Sequence, residues 1–145
     1  MDGEGRTTGL TSLSALEGLW SLTRKIKHAD GTEGRFTGTA RFRRAGPRLL
    51  QEEEGRLDLG HGPALRATRR YVWRRAGERL DCFFEDGRPF HSVPLGASSH
   101  ETVHLCDPDR YAVAYDFADW PAWTSRWRVE GPRKDYVMSS RYARA

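Results

Sequence analysis

Cysteine is scarce: Cys82 and Cys106 are the only two in 145 residues, too few for a disulfide framework and not spaced as zinc ligands. Both read as reduced thiols. No window approaches the roughly 18 to 20 consecutive apolar residues of a spanning helix, and the first 20 residues lack the basic-then-apolar order of a signal peptide. The expectation is a soluble cytoplasmic chain with no membrane partner. GxSxG, P-loop and dinucleotide fingerprints are missing, which leaves hydrolase, nucleotidase and dehydrogenase readings unsupported and predicts no cofactor. Lysine is nearly absent too, three of 24 basic residues, the other 21 being arginine. That bias points to a GC-rich coding genome, and a net charge of +4 does not establish nucleic-acid binding.

What is present is an ordinary globular composition, 37% hydrophobic with 15 glycines, at a length that predicts one domain. Residues 1–11 are Gly-, Thr- and charge-rich and read as a flexible leader, leaving 12–145 as the folded domain. Leu13, Leu16 and Leu19 have helical spacing behind Ser12 or Ser14 as a cap, and Gly18 can end that short helix. From Trp20 on, aromatic-, Val- and Thr-rich runs alternate with Gly, Pro and Asp clusters. Ten strands are expected, at 19–28, 35–44, 49–59, 65–75, 79–85, 89–93, 99–106, 110–117, 122–130 and 135–142. Short turns such as Asp30-Gly31, Ala76-Gly77 and Asp86-Gly87 make an antiparallel meander of them. Such a meander avoids exposed edges by closing into an all-β, single up-and-down barrel; a packed sandwich is the alternative.

Period-two alternation assigns the faces. Phe36, Gly38, Ala40 and Phe42 share one side of the second strand, and Trp123, Ser125, Trp127 and Val129 one side of the ninth. The inward series Trp20, Leu22, Arg24, Ile26 and Leu65, Ala67, Arg69, Tyr71, Trp73 each carry an arginine.

Gly18-Leu19-Trp20 resembles the Gly-x-Trp opening of lipocalins and the wider calycin group. A larger set resembles an uncharacterised bacterial family of small lipocalin-like proteins: Leu16 to Trp20 with Arg24, Gly38 to Phe42, Glu53-x-Gly55, Arg69-x-Tyr71-x-Trp73, Asp86 to His91, His104-x-Cys106, Asp109-x-Tyr111, and Trp127 through Tyr136. The resemblance implies a calycin-type barrel and pocket residues, with no settled activity. Heme-binding calycins open with Gly-x-Trp-x-Gly-x-Gly. Leu22 and Arg24 stand where the later glycines would be, so heme is not carried over.

An inward guanidinium costs several kcal/mol unless paired, so Arg24 and Arg69 imply a carboxylate, an anion or water inside the barrel. Glu53, on the series Gln51, Glu53, Gly55, Leu57, is the obvious protein partner. The pair then reads either as a structural bridge, or an arginine stacked on Trp20, or as a clamp for a ligand carboxylate or phosphate. His91 and His104, expected on neighbouring strands, could join Tyr71, Tyr111 and Glu53 in an acid/base set; structural histidines are the alternative. His100 and His104 are four apart, a metal pair on a helix but about 13 Å apart in a strand, so no metal is predicted. Outward Arg41, Arg43, Arg66, Arg70 and Arg74 could form a basic stripe or a solvated face among Glu52, Glu54 and Asp58. The pocket walls are expected from Trp20, Phe36, Phe42, Tyr71, Trp73, Phe84, Trp123 and Trp127. The expected function is binding of a small amphipathic, anionic ligand through Arg24, Arg69, Tyr71, Trp73, His91, His104 and Trp127. The alternative is a cofactor-free cyclase or isomerase using His91, His104, Tyr111 or Glu53. A homodimer is left open.

Overall fold

The computed structural model describes residues 9–145. Ten strands follow one another: β1 (Gly18–His28), β2 (Glu33–Ala45), β3 (Arg48–Asp58), β4 (Leu65–Ala76), β5 (Arg79–Phe84), β6 (Pro89–Pro94), β7 (Ser99–Cys106), β8 (Asp109–Asp116), β9 (Trp123–Glu130) and β10 (Asp135–Arg144). Every expected strand is present, with ends within two residues. All ten belong to one antiparallel sheet in the order β6-β5-β4-β3-β2-β1-β10-β9-β8-β7, so the two ends of the chain pair at its middle. A single sheet excludes the sandwich. The curled sheet is nearly closed: β6 and β7 are its two edges and meet without a ladder, through side chains such as Phe90 and His104, whose rings lie 5.7 Å apart.

Two expectations about the N-terminal end need correction. The helix is a single 3-10 turn, Leu13–Leu16, with the Ser12 hydroxyl accepting from the Ala15 N–H at 3.2 Å. It stops early because Gly18 takes a φ of 122°, which favours glycine, and starts β1 there. The leader is also too long as drawn. Leu10 is 1% exposed, and its carbonyl accepts the Gly96 N–H at 2.7 Å, so the fold includes Gly9–Thr11; residues 1–8 of that leader lie outside the described residues.

Leu10, Leu13 and Leu16 plug this end of the barrel. The Trp20 indole N–H donates to the Leu16 carbonyl at 2.8 Å, and the Arg144 guanidinium lies 3.8 Å over the Trp20 ring. Arg144 also donates to the Ala15 and Glu17 carbonyls, tying the last strand to the plug. At the far ends of β1, β3 and β4 the lining thins to half-buried Ile26, Leu57 and Ala67, and Leu65 is 50% exposed. One end is therefore sealed and the other is an apolar mouth. Leu10→Ala should cost about 2 to 5 kcal/mol of stability, as buried leucine truncations do. An unchanged urea midpoint would return Leu10 to a leader outside the core.

Candidate functional site

Mid-barrel, Arg24 and Glu53 form a buried ion pair at 2.9 Å, with side chains 4% and 1% exposed. The Arg24 Nε–H donates to Ser140 Oγ at 2.7 Å, and Nη2 to Tyr142 Oη at 3.2 Å. Tyr142 in turn donates to Glu53 Oε2 at 2.6 Å, Gln51 Nε2 donates to the same oxygen at 2.7 Å, and Trp73 Nε1 donates to Gln51 Oε1 at 2.7 Å. Arg24 of β1 thus reaches Glu53 of β3 over the inner face of β2, where Gly38 faces Gly55 of β3 in register. A methyl group on Gly38 would strike the Glu54 carbonyl, and one on Gly55 the Thr37 carbonyl and the Phe36 ring. Burial, the largest influence, would lower the Arg24 pKa, and the Glu53 carboxylate together with Tyr142 more than offsets it, so the net direction is upward.

Glu53 stands directly opposite Arg69 in the β3–β4 register, yet its carboxylate turns to Arg24. The bridging reading is thus realised with the other arginine. Arg69 is half-buried and has no carboxylate within ion-pair distance among the described residues. Its Nη1 donates to Tyr71 Oη at 3.1 Å, and its guanidinium lies 5.6 Å from the Trp127 ring centroid. Two openings meet at it. A cavity of about 320 Å³ runs along Arg24, Ile26, Phe36, Leu57 and Ala67 to Arg69. A second opening of about 400 Å³ lies between Arg69, Tyr71 and Phe84, where the short β5 stops and leaves β4 below Tyr71 paired on its β3 side alone.

The interior above the mouth is packed rather than hollow. Tyr71, Trp73, Phe90, His91, Tyr115, Trp123, Trp127 and Tyr142 surround a space of about 10 Å³, on the scale of one water. Trp20 and Phe42, 0% and 1% exposed, belong to the sealed end and not to a pocket wall. His91 and His104 sit on β6 and β7, on either side of the unpaired seam rather than on one ladder. His91 Nε2 and Tyr115 Oη are 2.7 Å apart, and burial lowers the His91 pKa from 6.5 to about 3. His104 packs against the Phe84, Phe90 and Tyr111 rings, and its pKa is lowered by burial and then by Arg88. Tyr71 is pushed up to about 12 by burial, against the pull of Arg69. Tyr111 accepts from Lys134 Nζ at 3.1 Å. Of the expected acid/base residues, Glu53, Tyr71 and His91 border the same small interior space, each bonded to a partner of its own, while His104 and Tyr111 pack on one another. Gln51, Ser140 and Tyr142, which complete the charged network, and Lys134 were not among the sequence candidates. The period-two series of the last strand, Met138, Ser140, Tyr142, was the signal available for two of them.

A family model described as a family of unknown function, DUF6314, matches residues 16–144, so the chain belongs to that family. No curated protein matches it. Among solved structures, an S-type phycobiliprotein lyase from Guillardia theta superposes with a TM-score of 0.60 at 9% identity, over 91% of this chain and 89% of the lyase. A de novo designed fluorescence-activating β-barrel aligns over 94% of this chain and 99% of its own, at 14% identity and a TM-score of 0.47. The first likeness is one of fold.

Two measurements check the interior. Arg24→Met strands a buried carboxylate and should cost about 3 to 5 kcal/mol, with Arg24→Met plus Glu53→Gln recovering much of it. Arg69→Met should change the denaturant midpoint little and show no coupling to Glu53→Gln; a large coupling would reassign the pair. Because folding holds His91 neutral, its contribution is complete above pH 6.5 and is lost as pH falls from 6.5 to about 3. His91→Gln should flatten the acid limb of the stability curve by about 5 kcal/mol at most relative to the parent.

Proposed function

We propose that this DUF6314 protein is a binding protein for a small amphipathic organic anion, seated at the open end of the barrel. The observation that carries the reading is the division of labour between the two interior arginines. Glu53, which borders the first opening, is committed to Arg24, whereas Arg69, on the adjoining strand, faces both openings with no carboxylate within ion-pair distance among the described residues, Glu85 and Asp86 standing at the rim of the second. Tyr71 and Trp127 fix its plane, and a planar fork so held suits a carboxylate, sulfonate or phosphate. Ile26, Phe36, Leu57 and Ala67 would take the apolar part, a mixture usual for small-molecule sites. The likeness in fold to a phycobiliprotein lyase supports a ligand-handling barrel without naming the ligand.

Within this reading Arg24 closes the floor of the cavity and Trp73 supports it through Gln51. His91 lies behind the Phe90 ring, and His104 and Tyr111 pack on that ring close to the β7–β8 turn. The cyclase or isomerase alternative needs a free base beside the ligand. Glu53 is held by Arg24, Tyr142 and Gln51, and the Tyr71 phenol keeps its proton at neutral pH, so binding is the better-supported class.

Titration with fatty acids and an anilinonaphthalene sulfonate, read by tryptophan quenching and thermal shift, tests the site. Arg69→Met should leave the unliganded protein as stable as the parent and weaken binding by about 2 to 5 kcal/mol. Equal affinity in parent and variant would remove Arg69 from the site, and absence of any quenching or shift across the panel would close the pocket itself.

A further inference from the structure

The outer surface of the barrel is not uniform. On the β3–β4 face acids lie among the arginines, Arg43 pairing with Glu52, Arg66 with Glu54 and Arg70 with Glu85, which makes the stripe expected there a partly neutralised, solvated surface, although Arg41 and Arg74 have no ion pair among the described residues. Across β2, β1, β10 and β9 the pattern differs. Register aligns Arg35, Lys25, Ser139 and Arg126 in one outward row, and Thr37, Thr23, Arg141 and Thr124 in the next. The short hydroxyl side chains leave the backbone of the ladder uncovered between the long basic ones, and the result is an outer groove of about 510 Å³. No carboxylate lines it. Lys25 meets Glu33 at 3.5 Å near its edge, while Arg35, Arg126 and Arg141 have no acidic partner among the described residues.

We infer that this groove is a second site, separate from the barrel interior, for a small molecule carrying two or more phosphate groups. Three arginines and a lysine, spread over three strand spacings of about 14 Å in total, can engage several phosphates at once, and guanidinium forks match phosphate oxygens. Thr23, Thr37, Thr124 and Ser139 supply hydroxyl donors between them. Aromatic side chains are absent from the outer rows, so the stacking platform that single-stranded nucleic acid uses is missing, which favours a compact polyphosphorylated ligand over an RNA strand.

Calorimetric titration of the full chain with sodium tripolyphosphate tests the inference. Saturable one-to-one binding is expected, weakened roughly tenfold or more in R126S/R141S and likewise in K25S/R35S, which alters the other wall. R66S/R70S removes the same charge from the partly neutralised face and should keep the parent affinity, with circular dichroism and urea midpoints verifying that all three variants fold. No saturable binding, or an equal loss in R66S/R70S, would overturn the proposal. So would equal binding of a polyglutamate peptide, which would mean that the groove reads charge alone. Binding of a single-stranded RNA oligomer through these arginines without binding of tripolyphosphate would overturn it in favour of nucleic acid.

Discussion

Two opposite charges lie inside this barrel, and the way they are satisfied organises the rest. Arg24 and Glu53 are both nearly inaccessible, which is tolerable only because each is also hydrogen-bonded. The bonds gather Ser140 and Tyr142 from β10, Gln51 from β3 and Trp73 from β4 around β1, so that four strands are held at one level. On the wall between Arg24 and Glu53, Gly38 and Gly55 face each other so closely that a side chain on either would strike the neighbouring strand's backbone. The same arrangement consumes the interior carboxylate and leaves Arg69 without one. Stability and binding capacity are in this sense two results of one pairing.

The barrel is polarised along its axis as well. Its N-terminal end is stoppered by Leu10, Leu13 and Leu16, locked by Trp20 and by the Arg144 stack. Above the mouth a continuous set of aromatic contacts, with Phe84 and Phe90 rings 4.4 Å apart and Phe90 5.1 Å from Trp127, fills the space beside the β6–β7 seam. Without ladder hydrogen bonds across that seam, ring packing and a few side-chain bonds, His91 with Tyr115 and Arg88 with Cys106, join the two edges. The mouth is thus bordered by a hydrogen-bonded charged network on the β1–β3 side and by a largely aromatic wall on the other. Charge is divided between surfaces as well, with acids pairing some of the arginines outside β3 and β4 and none lining the groove across β1, β2, β9 and β10.

Alternation, turn chemistry and the two inward arginines were legible in the sequence because each depends on neighbours a few residues away. Strand geometry sends alternate side chains to opposite faces whatever the strand pairs with, so Arg24 and Arg69 could be placed inside before any fold was known. Leu10 was missed for the complementary reason: one apolar residue in a Gly- and Thr-rich stretch has no periodicity, and only the Gly96 N–H and the sealed barrel end give it a site. The choice of partner was likewise out of reach. Glu53 is the cross-strand neighbour of Arg69, and a local rule pairs them; the curvature of the closed sheet instead brings Arg24 to the carboxylate across two glycines. Whether the interior was a cavity or a packed cluster, and whether two histidines on successive strands met, also depended on how far the sheet curled and where it failed to zip. The sequence by itself determined which side chains point inward. Tertiary structure alone decided which of them meet, because contact across a barrel is set by curvature and register summed over many strands, to which no short stretch of chain has access.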